Sequence, residues 1–150
     1  MCIRDRVGTP GKVWGALESV VQRAVLALSA QMLGAAERTF ELATDYAKQR
    51  VQFGVPIAQK QAIAFMLAEM AIEVDAARLM VWEAAWKLDE GADASKDAYL
   101  AKQYADKAAM FVTDSAVQTL GGYGFIREYP AERWLRNARG FTTFDGLAIV

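Results

Sequence analysis

The sequence predicts an all-α protein, an up-and-down antiparallel bundle of three long helices and one short one. Three observations predict it. Apolar residues recur at intervals of three and four along two long stretches, which is the pattern of one buried helical face. Alanine, the strongest helix former, occurs 28 times against three prolines. Clustered glycines and prolines separate these stretches from one another.

The first helix is expected from about Lys12 to Arg50, with Val21, Val25, Leu28, Met32 and Ala36 at helical spacing. It ends at Gln52-Phe53-Gly54-Val55-Pro56, where the proline disfavours helix at the residue before it. The second, about Gln59 to Glu90, repeats the pattern through Ile63, Met66, Leu67, Met70, Val74, Ala77 and Val81, and Gly91 is placed to close it as a left-handed cap. Ser95 can cap a third helix reaching Leu120, with Leu100, Tyr104, Ala108, Phe111, Ser115 and Gln118 on one side. Gly121-Gly122-Tyr123-Gly124 stops it, and Pro130 suits the first turn of a short helix ending near Arg139. Residues 140–150 read as an extended or looped tail, and residues 1–11 as a poorly ordered end. No strand pattern, internal repeat, low-complexity tract or linker competes, so 12–150 reads as one domain.

Composition limits the chemistry. Of 150 residues, 54% are apolar, and 17 basic side chains balance 18 acidic ones, which excludes a disordered chain and gives no electrostatic footprint for nucleic acid. There is no histidine, the commonest metal ligand and acid/base side chain, and no cluster has metal-ligand spacing. A lone cysteine, Cys2, cannot form an internal disulfide, which fits a reducing compartment. The apolar runs are too short and too charged to span a membrane.

Helices of about 30 residues are about 45 Å long and must bury a face against one another. Even so, Trp82, Trp86, Trp134, Phe141 and Phe144 add more bulk than three helices cover. A partner surface is expected: another domain, another subunit or a further helix.

Three places could carry chemistry. Asp145, in Phe144-Asp145-Gly146, sits among apolar neighbours that would make its carboxylate a better base, although Asp-Gly is also a common turn. The glycines 121, 122 and 124 either make a sharp turn or allow backbone to approach a planar ligand. Arg50 either favours a helix C-terminus or offers a guanidinium fork to phosphate, with Phe53 free to pack on a ring system. Without histidine there is no Ser/His/Asp set, so any chemistry belongs to an organic cofactor with one protein carboxylate.

Taken together, Arg50-Val51-Gln52-Phe53-Gly54-Val55-Pro56-Ile57, the run Gln61 to Ala71, Ala116-Val117-Gln118 with Gly121-Gly122-Tyr123-Gly124-Phe125, Glu128 to Arg133 and Leu135 to Arg139 resemble the C-terminal helical domain of the flavin-dependent acyl-CoA dehydrogenases. The resemblance spans residues 16 to 146 in nearly continuous register. It implies a longer enzyme with an N-terminal helical domain and a middle β domain, and FAD bound across the interface of a homodimer or homotetramer. Arg50, Gln52, Phe53, Gln61, Gln118, Gly121 and Gly122 are then the FAD contacts. Arg23, Phe144 and Gly146 lie near the acyl-CoA.

The implied reaction is α,β-dehydrogenation of an acyl-CoA thioester. Asp145 removes the Cα proton while hydride passes from Cβ to the flavin N5. An electron-transfer flavoprotein or similar acceptor then takes the electrons. The compartment implied is the bacterial cytoplasm, with the mitochondrial matrix as the alternative.

Three departures from the family pattern stand out, one of them Gln22, which cannot act as a base, at the first-helix position that some members use for it. Most members carry glutamate, one methylene longer, where Asp145 falls, and misplacement near 1 Å can cost about 100-fold in rate. The tail Leu147-Ala148-Ile149-Val150 is apolar where a polar stretch is usual. Two other functions remain open at this stage. Nitroalkane oxidases of the same superfamily carry an aspartate as base, and a non-catalytic subunit of a mixed oligomer would need no base at all. In every case the 150-residue chain by itself is expected to be inactive.

Overall fold

The computed structural model of the chain describes residues 8–144. Three long helices form the bundle: α1 (Trp14–Gln49), α2 (Gln61–Asp89) and α3 (Ser95–Leu120). A one-turn helix α4 (Gly122–Phe125) and a shorter helix α5 (Ala131–Phe144) follow. The α3 helix packs against α1, α2 and α5, which makes it the most enclosed element.

That position explains the composition of α3. Its core-facing residues are small: Ala98, Ala101, Ala105, Ala108, Ala109 and Ala116 are all buried, with Val112 and Leu120 as the larger members. Small side chains let three neighbouring helices approach one backbone, while larger residues on α1 and α2 (Met32, Leu33, Leu67, Met70, Val74) fill the space between. The expected face of α3 therefore needs correction. Leu100 and Phe111 are 41% and 38% exposed, and Gln118 is exposed too. Side-chain size was the wrong guide where close approach decides the packing.

Four buried hydroxyls are satisfied within their own helices, whereas the buried Thr44 Oγ1 finds no partner among the described residues. Ser29, Thr39, Thr113 and Thr119 each donate to the carbonyl four residues back, so none needs a partner across the bundle. Lys102 and Asp106 on α3 form a deeply buried ion pair at 2.7 Å, where spacing of one turn brings the two side chains together.

The connections differ from expectation in three places. Residues read as strand-free form a minimal hairpin, β1 (Val51–Gln52) with β2 (Val55–Pro56), paired Val51 to Pro56 and Gln52 to Val55. Two-residue strands are too short to show any alternation. Phe53 (φ 56°) and Gly54 (φ 80°) supply the left-handed pair that a two-residue hairpin turn requires. The second difference concerns the start of α3, where Ser95 is the first helical residue and not the cap. Ala94 holds the cap position with no side-chain bond of its own, and Asp93 before it accepts from the Ser95 backbone N–H at 3.0 Å and from its hydroxyl. That hydroxyl in turn accepts from the Gln22 amide, which ties α1 to the start of α3. Third, α5 continues through Phe144, so residues 140–144 are helical and not an extended tail. No glycine or proline stands between Gly140 and Phe144 to break the helix, and Thr142 returns its hydroxyl to the Arg139 carbonyl.

Gly91 does close α2 in the left-handed conformation, with φ 72°. Of the apolar bulk expected to exceed the core, Trp82 and Trp86 are each 61% exposed, whereas Phe141 packs against the core and Trp134 is half-buried. No helix among the described residues is long and apolar enough to cross a membrane.

Candidate functional site

At one end of the bundle the close of α1, the hairpin and the turn after α3 enclose a cleft of about 590 Å³. Its walls include Tyr46, Arg50, Gln52, Ile57, Gly121, Gly122, Tyr123 and Glu128. Chain reversals bring these segments together. The Arg50 carbonyl accepts from Ile57 N–H at 2.8 Å across the hairpin, which fixes the exit of α1.

The turn after α3 is built by two glycines for two reasons. Gly121 has φ 59° and ψ −128°, a conformation open to glycine alone. Its N–H donates to the Val117 and Gln118 carbonyls, which ends the helix. Gly124 is buried so close to the last turn of α3 that a Cβ would meet the Val117 carbonyl oxygen at 2.4 Å. Gly122 has open space around it. Gly121 and Gly124 thus make the sharp turn, the first of the two sequence-based readings, while Gly122 lines the cleft with open space about its backbone.

Tyr46 and Tyr123 line the cleft, and Tyr129 packs against both. Tyr46 and Tyr129 meet edge to face with centroids 5.5 Å apart, Tyr123 and Tyr129 do so at 5.9 Å, and Tyr46 and Tyr123 are tilted at 6.3 Å. The Arg50 guanidinium carbon lies 5.7 Å from the centre of the Tyr123 ring. Burial raises the pKa of Tyr46, an effect that Arg50 partly offsets and the two neighbouring phenols reinforce, so Tyr46 stays neutral. Among the described residues Arg50 has no carboxylate partner, and its side chain is exposed to the cleft.

Of the residues singled out in the sequence, Arg50, Gln52, Gly121 and Gly122 come together here. Phe53 stands at the tip of the hairpin beside them, 93% exposed, with the Lys60 ammonium 5.7 Å from its ring centre. Gln61 opens α2 and Gln118 lies in the last turn of α3, both exposed and outside the cleft wall. Arg23 is elsewhere. It lies 27 residues before Arg50 on the same helix, about 40 Å away at 1.5 Å per residue, and donates to Ser19. Asp145 and Gly146 lie outside the described residues, as does the side chain of Phe144.

Tyr46 went unremarked in the sequence, and Ile57, Tyr123, Glu128 and Tyr129 stood only within motifs, with no role of their own. One signal was available: Tyr46 and Arg50 are four apart, hence on one face of α1. The triad itself joins three separate elements and leaves no local trace.

The profile of the family described as acyl-CoA dehydrogenase, C-terminal domain, matches residues 14–148. This chain belongs to that family. An acyl-CoA dehydrogenase of Bacillus subtilis is 48% identical over 121 residues, covering 81% of this chain and 32% of that protein. The caffeyl-CoA reductase-Etf complex subunit CarC of Acetobacterium woodii is 40% identical over 146 residues, covering 97% and 38%. A solved structure of PigA with FAD and proline superposes with TM-score 0.89 at 32% identity, covering 94% of this chain and 37% of that one. The chain thus spans about a third of the length of the relatives it matches.

The residues present suit FAD. A dinucleotide carries a pyrophosphate, ribose hydroxyls and flat rings. The cleft offers a guanidinium without an ion pair among the described residues for the first, the Glu128 carboxylate as an acceptor for the second, and tyrosine rings with open Gly122 backbone for the third.

Proposed function

We propose that this chain is the C-terminal helical part of an FAD-dependent acyl-CoA dehydrogenase. The observation that carries this reading is the end-of-bundle cleft, where Arg50 is held on Tyr123 with no ion pair among the described residues, near the accessible backbone of Gly122. Arg50 binds the pyrophosphate, Gln52 and Gly121-Gly122 border the adenosine side, and Phe53 reaches out from the hairpin tip. Gln61 and Gln118 extend the contact at the rim, and Arg23, Phe144 and Gly146 face the acyl-CoA.

When bound, FAD supplies the two-electron sink that takes a hydride from the substrate Cβ. Asp145 takes the Cα proton, and its backbone N–H donates to the thioester oxygen as negative charge builds there. Electrons then leave through an electron-transfer flavoprotein. The similarity to a subunit of the caffeyl-CoA reductase-Etf complex of Acetobacterium woodii supports that choice of partner.

Association of copies is part of this proposal. On α2, Phe65, Ile72, Leu79 and Trp86 recur every seven residues, with Trp82 beside them, and all five are at least 60% exposed. A seven-residue repeat keeps side chains on one helical face, as two packed helices need. We place the protein in a bacterial cytoplasm and expect the 150-residue chain alone to bind FAD weakly and to self-associate.

The test is Asp145→Asn in the complete polypeptide that carries this domain. Flavin should stay bound while acyl-CoA dehydrogenation falls by at least about 100-fold. Retained turnover would overturn the assignment of the base. The aspartate also motivates a nitroalkane oxidase, and turnover of nitroethane with none of acyl-CoA would establish that reading instead. FAD binding only with a second, distinct subunit would make the chain non-catalytic.

A further inference from the structure

We propose that Tyr123 is a positioning residue that holds the Arg50 guanidinium as a pre-aimed anion fork. This rests on the reading of the cleft as the FAD site and adds to it a device for preparing that site.

Arg50 is the first residue past α1, with its backbone already extended at ψ 115°. An arginine there has many rotamers, and fixing one on ligand binding costs entropy unless something fixes it beforehand. Acidic side chains usually do this work, but a carboxylate would occupy the same donors that a phosphate needs. An aromatic face attracts the cation through its quadrupole and leaves the N–H groups in the guanidinium plane free. Tyr123 takes that role at 5.7 Å.

The ring must itself be rigid, and the structure braces it twice. Tyr46 from α1 and Tyr129 from the segment before α5 pack against it, at 6.3 and 5.9 Å between centroids, and touch each other at 5.5 Å. Beneath it, α4 is locked to α3 by the turn at Gly121 and by the contact of Gly124 with Val117. Tyr46 lies one helical turn before Arg50, so the same brace grips both the cation's own helix and the ring that faces it.

The test measures FAD dissociation constants on the refolded apo form of the complete polypeptide, by quenching of flavin fluorescence. Tyr123→Leu, which fills space without a ring, should weaken binding about threefold to tenfold. Tyr123→Phe keeps the ring face and should restore affinity to within about twofold. In an Arg50→Ala background, which weakens binding by itself, Tyr123→Leu should add nothing, because the two act as one unit.

A loss from Tyr123→Leu that persists in full without Arg50 would overturn the positioning role and leave the FAD site standing. So would wild-type affinity in Tyr123→Leu. No loss from Arg50→Ala would overturn the cofactor reading of the cleft and this inference with it.

Discussion

A Cβ placed on Gly124 would lie 2.4 Å from the carbonyl oxygen of Val117 and 2.9 Å from its Cα. Both are backbone atoms in the last turn of α3, so no rotamer change can relieve the contact. Gly124→Ala must push α4 outward, and overpacking of this kind costs about 1–3 kcal/mol. Because α4 carries Tyr123, the cleft should open as well. Thermal melts should show the lost stability, and flavin titration should show weaker binding in the same variant.

Gly121 and Gly122 separate turn-making from ligand approach. Gly121→Ala forces a Cβ into φ 59°, ψ −128°, and should cost about 1–3 kcal/mol. Gly122 has ordinary backbone and nothing within 4 Å of a built Cβ. Gly122→Ala should therefore leave the melting temperature unchanged or slightly raised, by up to about 1 kcal/mol in stability. If backbone approach to the flavin matters there, FAD affinity drops despite intact folding. Unchanged affinity would show that the ligand keeps its distance from this residue.

Much of the fold was legible because its information is periodic. The α2 stripe Leu67, Met70, Val74, Ala77, Val81 is the buried face, and Gly91 ends that helix as its position predicts. The α3 face was misread because packing three helices around one backbone selects alanine, and alanine carries little weight in a search for large apolar residues. At the site, Arg50 and the glycine turn stood out because they combine chemistry with helix endings. The tyrosines did not, since Tyr46, Tyr123 and Tyr129 meet only after the chain reverses twice.

Phe53 combines an exposed aromatic ring with a backbone conformation that suits glycine. At φ 56° and 93% exposure it contributes little to the folded domain alone. Phe53→Gly should raise stability by about 1 kcal/mol, as the left-handed strain is removed. FAD binding by the complete protein should fall, because the hairpin tip loses the ring that reaches outward. A variant that is both more stable and fully able to bind would remove Phe53 from the site.

Asp93 gives a pH dependence with a definite sign. Its pKa lies below the ordinary value, first because the Ser95 hydroxyl donates to it and second because the Ser95 backbone N–H does. The folded state thus favours the charged carboxylate. Its contribution to stability is complete above the ordinary aspartate range and is lost as pH falls through the depressed folded value. Asp93→Ala should melt lower than wild type at neutral pH. The difference between the two should narrow on acidification below about pH 4. A gap that stays constant down to about pH 3 would mean that the charge of Asp93 does not contribute.

Lys102 and Asp106 pose the opposite case, a pair taken almost fully out of water. Their side chains are 2% and 13% exposed, at a separation of 2.7 Å. Desolvating both charges opposes much of their attraction, so the pair adds little net stability while each member depends on the other. Lys102→Met keeps the aliphatic stem and removes only the ammonium, and should cost about 3–5 kcal/mol. Pairing it with Asp106→Leu should recover a large part of that loss, because no carboxylate is then buried without its ammonium. Urea denaturation of the four proteins in the cycle, at constant slope, gives the coupling directly. Position 102 lies about 28 Å along α3 from Gly121, so FAD affinity of the folded variants should be unchanged. Equal losses in the single and double variants would mean that Asp106 is held by its other surroundings and not by Lys102.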